Sequence, residues 1–397
     1  DMAPFYAALP FSLTGAQRRS IDEALRDMRS GLPMNRLCQG DVGSGKTMVA
    51  AACVYFAARN GRQAALMAPT EILARQHYET LAPLLEPLGV RCALLTGSTG
   101  VKAKRETNAA LAAGDIDLAI GTHALLTGTV TFRDLGLMVT DEQHRFGVAQ
   151  RAALAEKGLH PHTLVMSATP IPRTLALILY GDLDVSLIDE LPPGRQPIET
   201  FAVPGSYRPR IYAFLRKLIA QGRQAYIVCP MVESGEEEGD DTKAVKEYAQ
   251  QLQKEVFPDL RVAFVHGKMR PKEKEAVMAA FAAGETDILV STTVIEVGVD
   301  VPNAAVMVVE NAERFGLSQL HQLRGRVGRG KHQSYCVLLS DNRNEETRQR
   351  LKILTQTNDG FRLAEEDLRL RGPGDFFGVR QHGLPGLRVA DLGCDAQ

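Results

Sequence analysis

The sequence predicts an α/β protein: two domains in tandem, each a parallel sheet covered by helices, followed by a helical hairpin. Three observations carry this. Short apolar runs alternate with stretches whose apolar residues recur at helical spacing. The alternation runs through twice, with a proline-rich joint between the two passes. A complete glycine-rich phosphate-loop pattern sits between the first apolar run and the first long helix.

In the first pass, Gln63–Ala68, Asp117–Ile120, Leu135–Thr140 and Thr163–Met166 are too short for helices and too apolar for loops, so they read as buried strands. Met48–Arg59 and Ile72–Leu85 read as helices between them. The second pass gives strands at Ala225–Cys229, Val262–His266, Asp287–Ser291, Ala305–Val309 and Ser334–Leu339. Between the passes, residues 190–197 hold three prolines and a glycine, which makes a stiff, non-helical connector. Later, Arg348–Gln356 and Phe361–Arg369 read as two helices before Arg371-Gly-Pro-Gly374 breaks the chain. The expected division is a first domain at 1–190, a linker at 191–204, a second domain at 205–345 and a hairpin region at 346–397.

Composition is that of an ordinary soluble globular protein, 45% hydrophobic and 23% charged. Its 46 Lys and Arg face 47 Asp and Glu. Any nucleic-acid partner must therefore be held by a local patch and not by bulk charge. The six cysteines form no CxxC pair, which argues against structural zinc, and most sit in apolar runs as small buried hydrophobes. No apolar run approaches the roughly 18 residues of a membrane helix, and a cytoplasmic setting without a membrane partner is expected. The acidic stretch Glu233–Asp241 reads as a solvated loop. The chain opens at Asp1, in the expectation that it is a piece of a longer protein.

Gly40-Asp41-Val42-Gly43-Ser44-Gly45-Lys46-Thr47 matches GxxxxGK[ST] and has an apolar run before it and a helix after it. In that setting backbone N–H groups turn inward around phosphates and the helix N-terminus adds positive potential. Lys46 reaches the outer phosphates of ATP and Thr47 holds Mg²⁺. Leu135–Thr140 ends at Asp141-Glu142, a pair suited to ordering Mg²⁺ (Asp141) and polarising the attacking water (Glu142). Near the other end, Gln322-Leu-Arg-Gly-Arg-Val-Gly-Arg329 sets arginines among glycines. Arg326 and Arg329 are candidates for a finger that stabilises phosphoryl transfer, with the ATP site expected in the cleft between the domains.

These motifs, in this order, resemble those of superfamily-two helicases, and Asp141-Glu-Gln-His-Arg-Phe-Gly147 and Ser167-Ala-Thr-Pro-Ile-Pro-Arg-Thr174 resemble the RecG branch. So do Asp359-Gly-Phe361, Leu370-Arg-Gly-Pro-Gly374 and Gly378-Val-Arg-Gln381 after the second domain. The resemblance implies two RecA-like P-loop domains, an ATP-driven motor on branched DNA in recombination and repair, and a wedge domain that would precede Asp1. It implies catalytic roles for Lys46, Asp141, Glu142, Gln322, Arg326 and Arg329. It further implies adenine reading by Phe11 and Gln17, and nucleotide contact by Asp300. Ser167 and Thr169 would couple ATP state to DNA, and Thr70, Arg75, Thr122 and Thr292 would face the DNA backbone. Arg350, Arg371 and Gln381 would transmit domain motion. A monomer is implied, with single-stranded-DNA-binding protein as a further partner. Two other readings stay open: the motor of a transcription-repair coupling factor, and a scaffold that binds ATP without cycling. An RNA helicase is disfavoured because Asp141-Glu-Gln-His144 departs from Asp-Glu-Ala-Asp.

Overall fold

The computed structural model describes residues 1–41, 43, 45–126, 129–141, 160–168, 183–192, 195–230, 240–292 and 301–371. The chain divides into two units, Asp1–Pro193 and Gly194–Gln397.

The first unit opens with α1 (Ala3–Ala8) and α2 (Gly15–Arg29). It continues β1 (Asn35–Gly40), α3 (Lys46–Arg59), β2 (Gln63–Met67), α4 (Glu71–Leu85), β3 (Cys92–Leu95), α5 (Val101–Ala113), β4 (Leu118–Gly121), β5 (Leu135–Asp141), β6 (His162–Ser167) and β7 (Asp184–Ile188). Its seven strands are ordered β3-β4-β2-β5-β6-β1-β7, every neighbouring pair parallel. The second unit runs β8 (Glu199–Val203), α6 (Arg208–Ala220), β9 (Gln224–Cys229), α7 (Asp240–Gln251), β10 (Val262–Val265), α8 (Pro271–Ala282), β11 (Ile288–Thr292), β12 (Ala304–Val309), α9 (Leu317–Arg324) and β13 (Tyr335–Leu339). Two further helices follow, α10 (Glu345–Gln356) and α11 (Gly360–Arg371). Its six strands are ordered β10-β11-β9-β12-β13-β8 and are again all parallel.

The expected fold is thus the observed one. Parallel strands need both faces covered, and β2 shows how. Ala64 and Leu66 join one apolar core while Ala65 and Met67 join another, because successive side chains alternate faces. One correction concerns the stretch 191–204, expected as a linker. Part of it is β8, the edge strand of the second sheet, paired with β13. Its exposed residues Glu199, Phe201 (46% exposed) and Ala202 mark it as an edge strand, which kept it from reading as a buried one.

The two sheets repeat one local design. Gly61-Arg-Gln-Ala begins β2 and Gly222-Arg-Gln-Ala begins β9. The Gln63 amide donates to the carbonyls of Leu111 and Ile116 at 2.9 and 2.8 Å, and Gln224 donates to those of Phe281 and Thr286 at 2.7 Å each. Arg91 clasps Asp117 before β4 as Arg261 clasps Asp287 before β11. Burial alone would raise the Asp117 and Asp287 carboxyls, but hydrogen bonds from these arginines hold both below the usual carboxylate range. The copies diverge at one place. Arg62 pairs with Asp134 at 2.9 Å, whereas the second unit has Asn303 in the acid's place and leaves Arg223 Nε and Nη2 buried without a partner among the described residues.

Candidate nucleotide site and coupling residues

β1 ends at Gly40, and α3 begins six residues later at Lys46. Gly45 occupies the N-cap of α3 at φ +89°, a left-handed conformation that glycine adopts without strain. Within the loop, the Lys46 ammonium donates to the carbonyls of Gly40 (2.8 Å) and Asp41 (2.9 Å). Thr47 follows in the first turn of α3, where unpaired backbone N–H groups and the helix dipole favour an anion.

Gln17 is 2% exposed and works on the same loop. Its backbone N–H donates to Thr14 Oγ1 at 3.1 Å and its Oε1 accepts from the Thr14 N–H at 2.9 Å, which closes a capping box on α2. Its Nε2 donates to the Gly45 carbonyl at 3.3 Å. A Cβ added at Gly45 would lie 1.8 Å from that nitrogen, so a side chain there is excluded twice over. The amide expected to read adenine is engaged on the protein at both ends, with one N–H of Nε2 left over. α2 itself is fixed to the sheet by Arg36 of β1, which pairs with Glu23 (3.1 Å) and Asp27 (2.8 Å) and donates to Ser186 of β7 at 3.0 Å. Phe11 is 47% exposed and lies in a separate hollow of about 570 Å³ with Tyr6, whose ring carries the Arg18 guanidinium at 3.9 Å.

β6 lies between β1 and β5, with Gln39 level with Ser167 and Asp141 level with Met166. Gly40, Ser167 and Asp141 therefore end three adjacent strands on one edge, roughly 5 Å apart per strand, where open parallel sheets bind ligands. Ser167 is nearly buried. Asp141 Oδ2 is hydrogen-bonded by His77 Nε2 of α4. Sequence reasoning did not single out His77. The signal was available, since His77 stands seven positions after the Thr70 cap, on the same helix face as buried Ala74.

Thr70 caps α4, accepting from the Leu73 N–H at 3.2 Å. The neighbouring Glu71 carboxylate accepts from the Ser98 N–H at 3.1 Å, which joins α4 to the loop after β3. Arg75 is half-buried on α4, and Thr122 is buried just after β4. In the second unit Thr292 is buried at the end of β11. Gln322, Arg326 and Arg329 lie on α9 and the turn after it, with Arg329 Nε donating to the Gly325 carbonyl at 3.2 Å. The third arginine of that motif, Arg324, is 2% exposed. It donates to Leu354 O of α10 at 2.6 Å and Thr200 Oγ1 of β8 at 3.1 Å, and lies 2.9 Å from His321 Nδ1. Arg350 donates to the Glu313 carbonyl at 2.7 Å. Val42, Ser44, Glu142, Thr169, Asp300 and Gln381 lie outside the described residues, as does the Arg371 side chain.

Residues 14–178 match the DEAD/DEAH box helicase model and 210–331 the helicase conserved C-terminal domain. Residues 357–397 match the C-terminal part of domain 3 of the ATP-dependent DNA helicase RecG. Nearly the whole chain is thus similar to part of the RecG helicases. It is 56% identical over 388 residues to the RecG helicase of Synechocystis sp., covering 98% of this chain and 46% of the relative. It is 53% identical over 393 residues to that of Bacillus subtilis, covering 99% and 57%. A solved structure of RecG bound to a three-way DNA junction superposes with a TM-score of 0.84 at 48% identity, covering 98% of this chain and 50% of that one. The chain thus spans about half the length of the RecG relatives it matches, and the matched half is the motor portion. Among the described residues no helix is long and apolar enough to cross a membrane.

Proposed function

We propose that this chain is an ATP-driven motor that translocates on DNA and, in the whole protein, remodels branched DNA such as stalled forks and junctions. The observation that carries the reading is the shared sheet edge. A phosphate loop with Lys46 and a carboxylate strand with Asp141 end side by side, separated by the one strand that carries Ser167. The loop from Gly40 to Thr47 cradles ATP phosphates, and Lys46 exchanges its two carbonyl partners for phosphate oxygens. The Thr47 hydroxyl and Asp141 carboxylate are hard oxygen donors that fit Mg²⁺, which when bound draws charge off the transferred phosphoryl group. Glu142 takes the proton of the attacking water. Arg326 and Arg329 stabilise the transition state with Gln322 beside them, and Asp300 contacts the nucleotide.

Phe11 and Gln17 hold the base. Thr70, Arg75, Thr122 and Thr292 meet the DNA backbone, with Ser167, Thr169, Arg350, Arg371 and Gln381 passing the nucleotide state to it. A net charge of −1 makes these few phosphate contacts the whole grip, so DNA affinity falls steeply with salt. The working species is a cytoplasmic monomer, with single-stranded-DNA-binding protein as a further partner. A coupling-factor motor is disfavoured by the RecG domain-3 match over 357–397.

Two variants test the nucleotide chemistry. Lys46→Ala abolishes phosphate release while the fold survives, and Glu142→Gln binds ATP without turning it over. Retention of more than about a tenth of wild-type turnover in Lys46→Ala contradicts the reading, since a lost charge clamp removes several kcal/mol of transition-state stabilisation. Loss of ATP binding in Glu142→Gln makes that residue structural or a metal ligand.

A further inference from the structure

We propose that His77 is a positioning residue for Asp141, and that through it α4 links the DNA-facing end of the first unit to the metal-ordering carboxylate. The proposal rests on the reading of Asp141 given above and adds a residue that this reading does not contain.

The His77 and Asp141 side chains are only 12% and 18% exposed. A carboxylate oxygen can only accept, so Nε2 carries the proton and holds Oδ2, and no described side chain takes Oδ1, the oxygen a metal would use. Among the described residues His77 is the side-chain partner of Asp141. The helix that carries His77 is fixed at its other end. Thr70 caps it, and Glu71 grips the Ser98 N–H of the loop after β3. From Thr70 to His77 is seven residues, or roughly 10 Å of helix. A displacement of the Thr70–Ser98 end by bound DNA is therefore carried by one rigid element to the carboxylate.

The second unit offers an internal comparison. There α7 follows β9 as α4 follows β2, and Glu310 directly follows β12 at the position that Asp141 holds at the end of β5. The α7 side chain that meets this acid is Tyr248, whose hydroxyl donates to Glu310 Oε1 at 2.9 Å. Both sheets therefore tether the acid of this strand from the same helix. The difference is that Arg208 also binds Glu310 through both carboxylate oxygens, at 3.2 and 2.5 Å. A guanidinium occupies the acid of the second unit, whereas among the described residues the acid of the first is held at one oxygen by a single imidazole. That is the arrangement a metal-ordering carboxylate needs.

The test uses His77→Leu, which fills the space without a nitrogen, and His77→Gln, which returns an N–H at the Nε2 position. Mn²⁺ binding to the ADP complex, read by electron paramagnetic resonance, should weaken roughly tenfold or more in the Leu variant. The stimulation of phosphate release by DNA should fall with it, and Gln should restore both to within roughly threefold of wild type. DNA affinity without nucleotide should not change. Wild-type Mn²⁺ affinity and DNA stimulation in His77→Leu overturn the proposal, as does a loss of DNA affinity with Mn²⁺ binding intact. Asp141→Ala separates the two levels. If it still hydrolyses ATP, the nucleotide-site reading itself fails. If it is inactive while His77→Leu behaves as wild type, only the role of His77 falls.

Discussion

Arg324→Ala should unfold the second unit early, and well before Arg326→Ala, whose side chain two residues along the same motif is only half-buried. Among the described residues Arg324 is the largest fully buried side chain. Its guanidinium bonds to Leu354 O and Thr200 Oγ1 and lies against His321, tying α9 to α10 and to the edge strand β8. Hydrogen bonds from a charged donor contribute about 1.5–3 kcal/mol each, and truncation would leave the Leu354 carbonyl buried without its donor. Together these give a loss of about 3–5 kcal/mol, two charge-assisted bonds and the carbonyl left unsatisfied. For a unit of this size each kcal/mol lowers the melting temperature by about 2–4 °C, so a fall on the order of 10 °C is expected. The chain has no tryptophan, so scanning calorimetry or far-ultraviolet circular dichroism is the suitable assay. An Arg324→Ala melt within about 2 °C of wild type would refute the reasoning, because the magnitude rests on these buried bonds. So would an equal fall in Arg326→Ala.

Replacing Arg326 or Arg329 with Ala should slow phosphate release with little change in nucleotide affinity, since a finger acts in the transition state; equal losses in both would indicate ground-state binding. Gln17→Ala should weaken ADP binding roughly three- to tenfold in a fluorescence titration, the worth of one net hydrogen bond holding the Gly45 turn. Unchanged binding would reduce Gln17 to a helix cap. Burial pushes the Cys38, Cys53 and Cys336 thiols up to about 12, so mass-spectrometric mapping after brief native alkylation at pH 8 should find these three unmodified.

His162 accepts from the Met34 N–H at Nδ1 (2.8 Å), and burial lowers its pKa below the ordinary 6.5, with the Arg62 charge adding to the shift. His266 is shifted the same way, again first by burial. The unfolded chain therefore binds more protons just below pH 6.5, so stability is whole above that pH and falls as the pH drops through it. His162→Asn keeps an acceptor at the Nδ1 position and should flatten this dependence in melts between pH 7.5 and 5.5. Identical slopes would refute the assignment.

Much of this molecule could be read from its residues, and the limits have physical causes. The strands predicted at Gln63–Ala68, Leu135–Thr140 and Ala305–Val309 are central and buried on both faces, so their unbroken apolar runs were unambiguous. β8 is an edge strand and α2 an amphipathic helix with four arginines, and both read as polar. Motif spacing singled out Lys46 and Asp141 as candidates because phosphate and metal chemistry demand fixed residue types, and the strand order puts the ends of their two strands on one sheet edge. It could not sort the arginines of Gln322–Arg329, since burial of Arg324 depends on α10 and β8, which are distant in sequence. His77 was missed for a similar reason. Its partner is brought to it only when β5 and α4 pack against one sheet.

The most direct test of the central claim is steady-state phosphate release by this chain with and without duplex and junction DNA, alongside Lys46→Ala. The account predicts that DNA raises wild-type turnover by roughly 5- to 150-fold, the range of ordinary coupling between two sites, and that the variant stays inactive in every condition. Turnover that is indifferent to DNA, or that survives in Lys46→Ala, would contradict it.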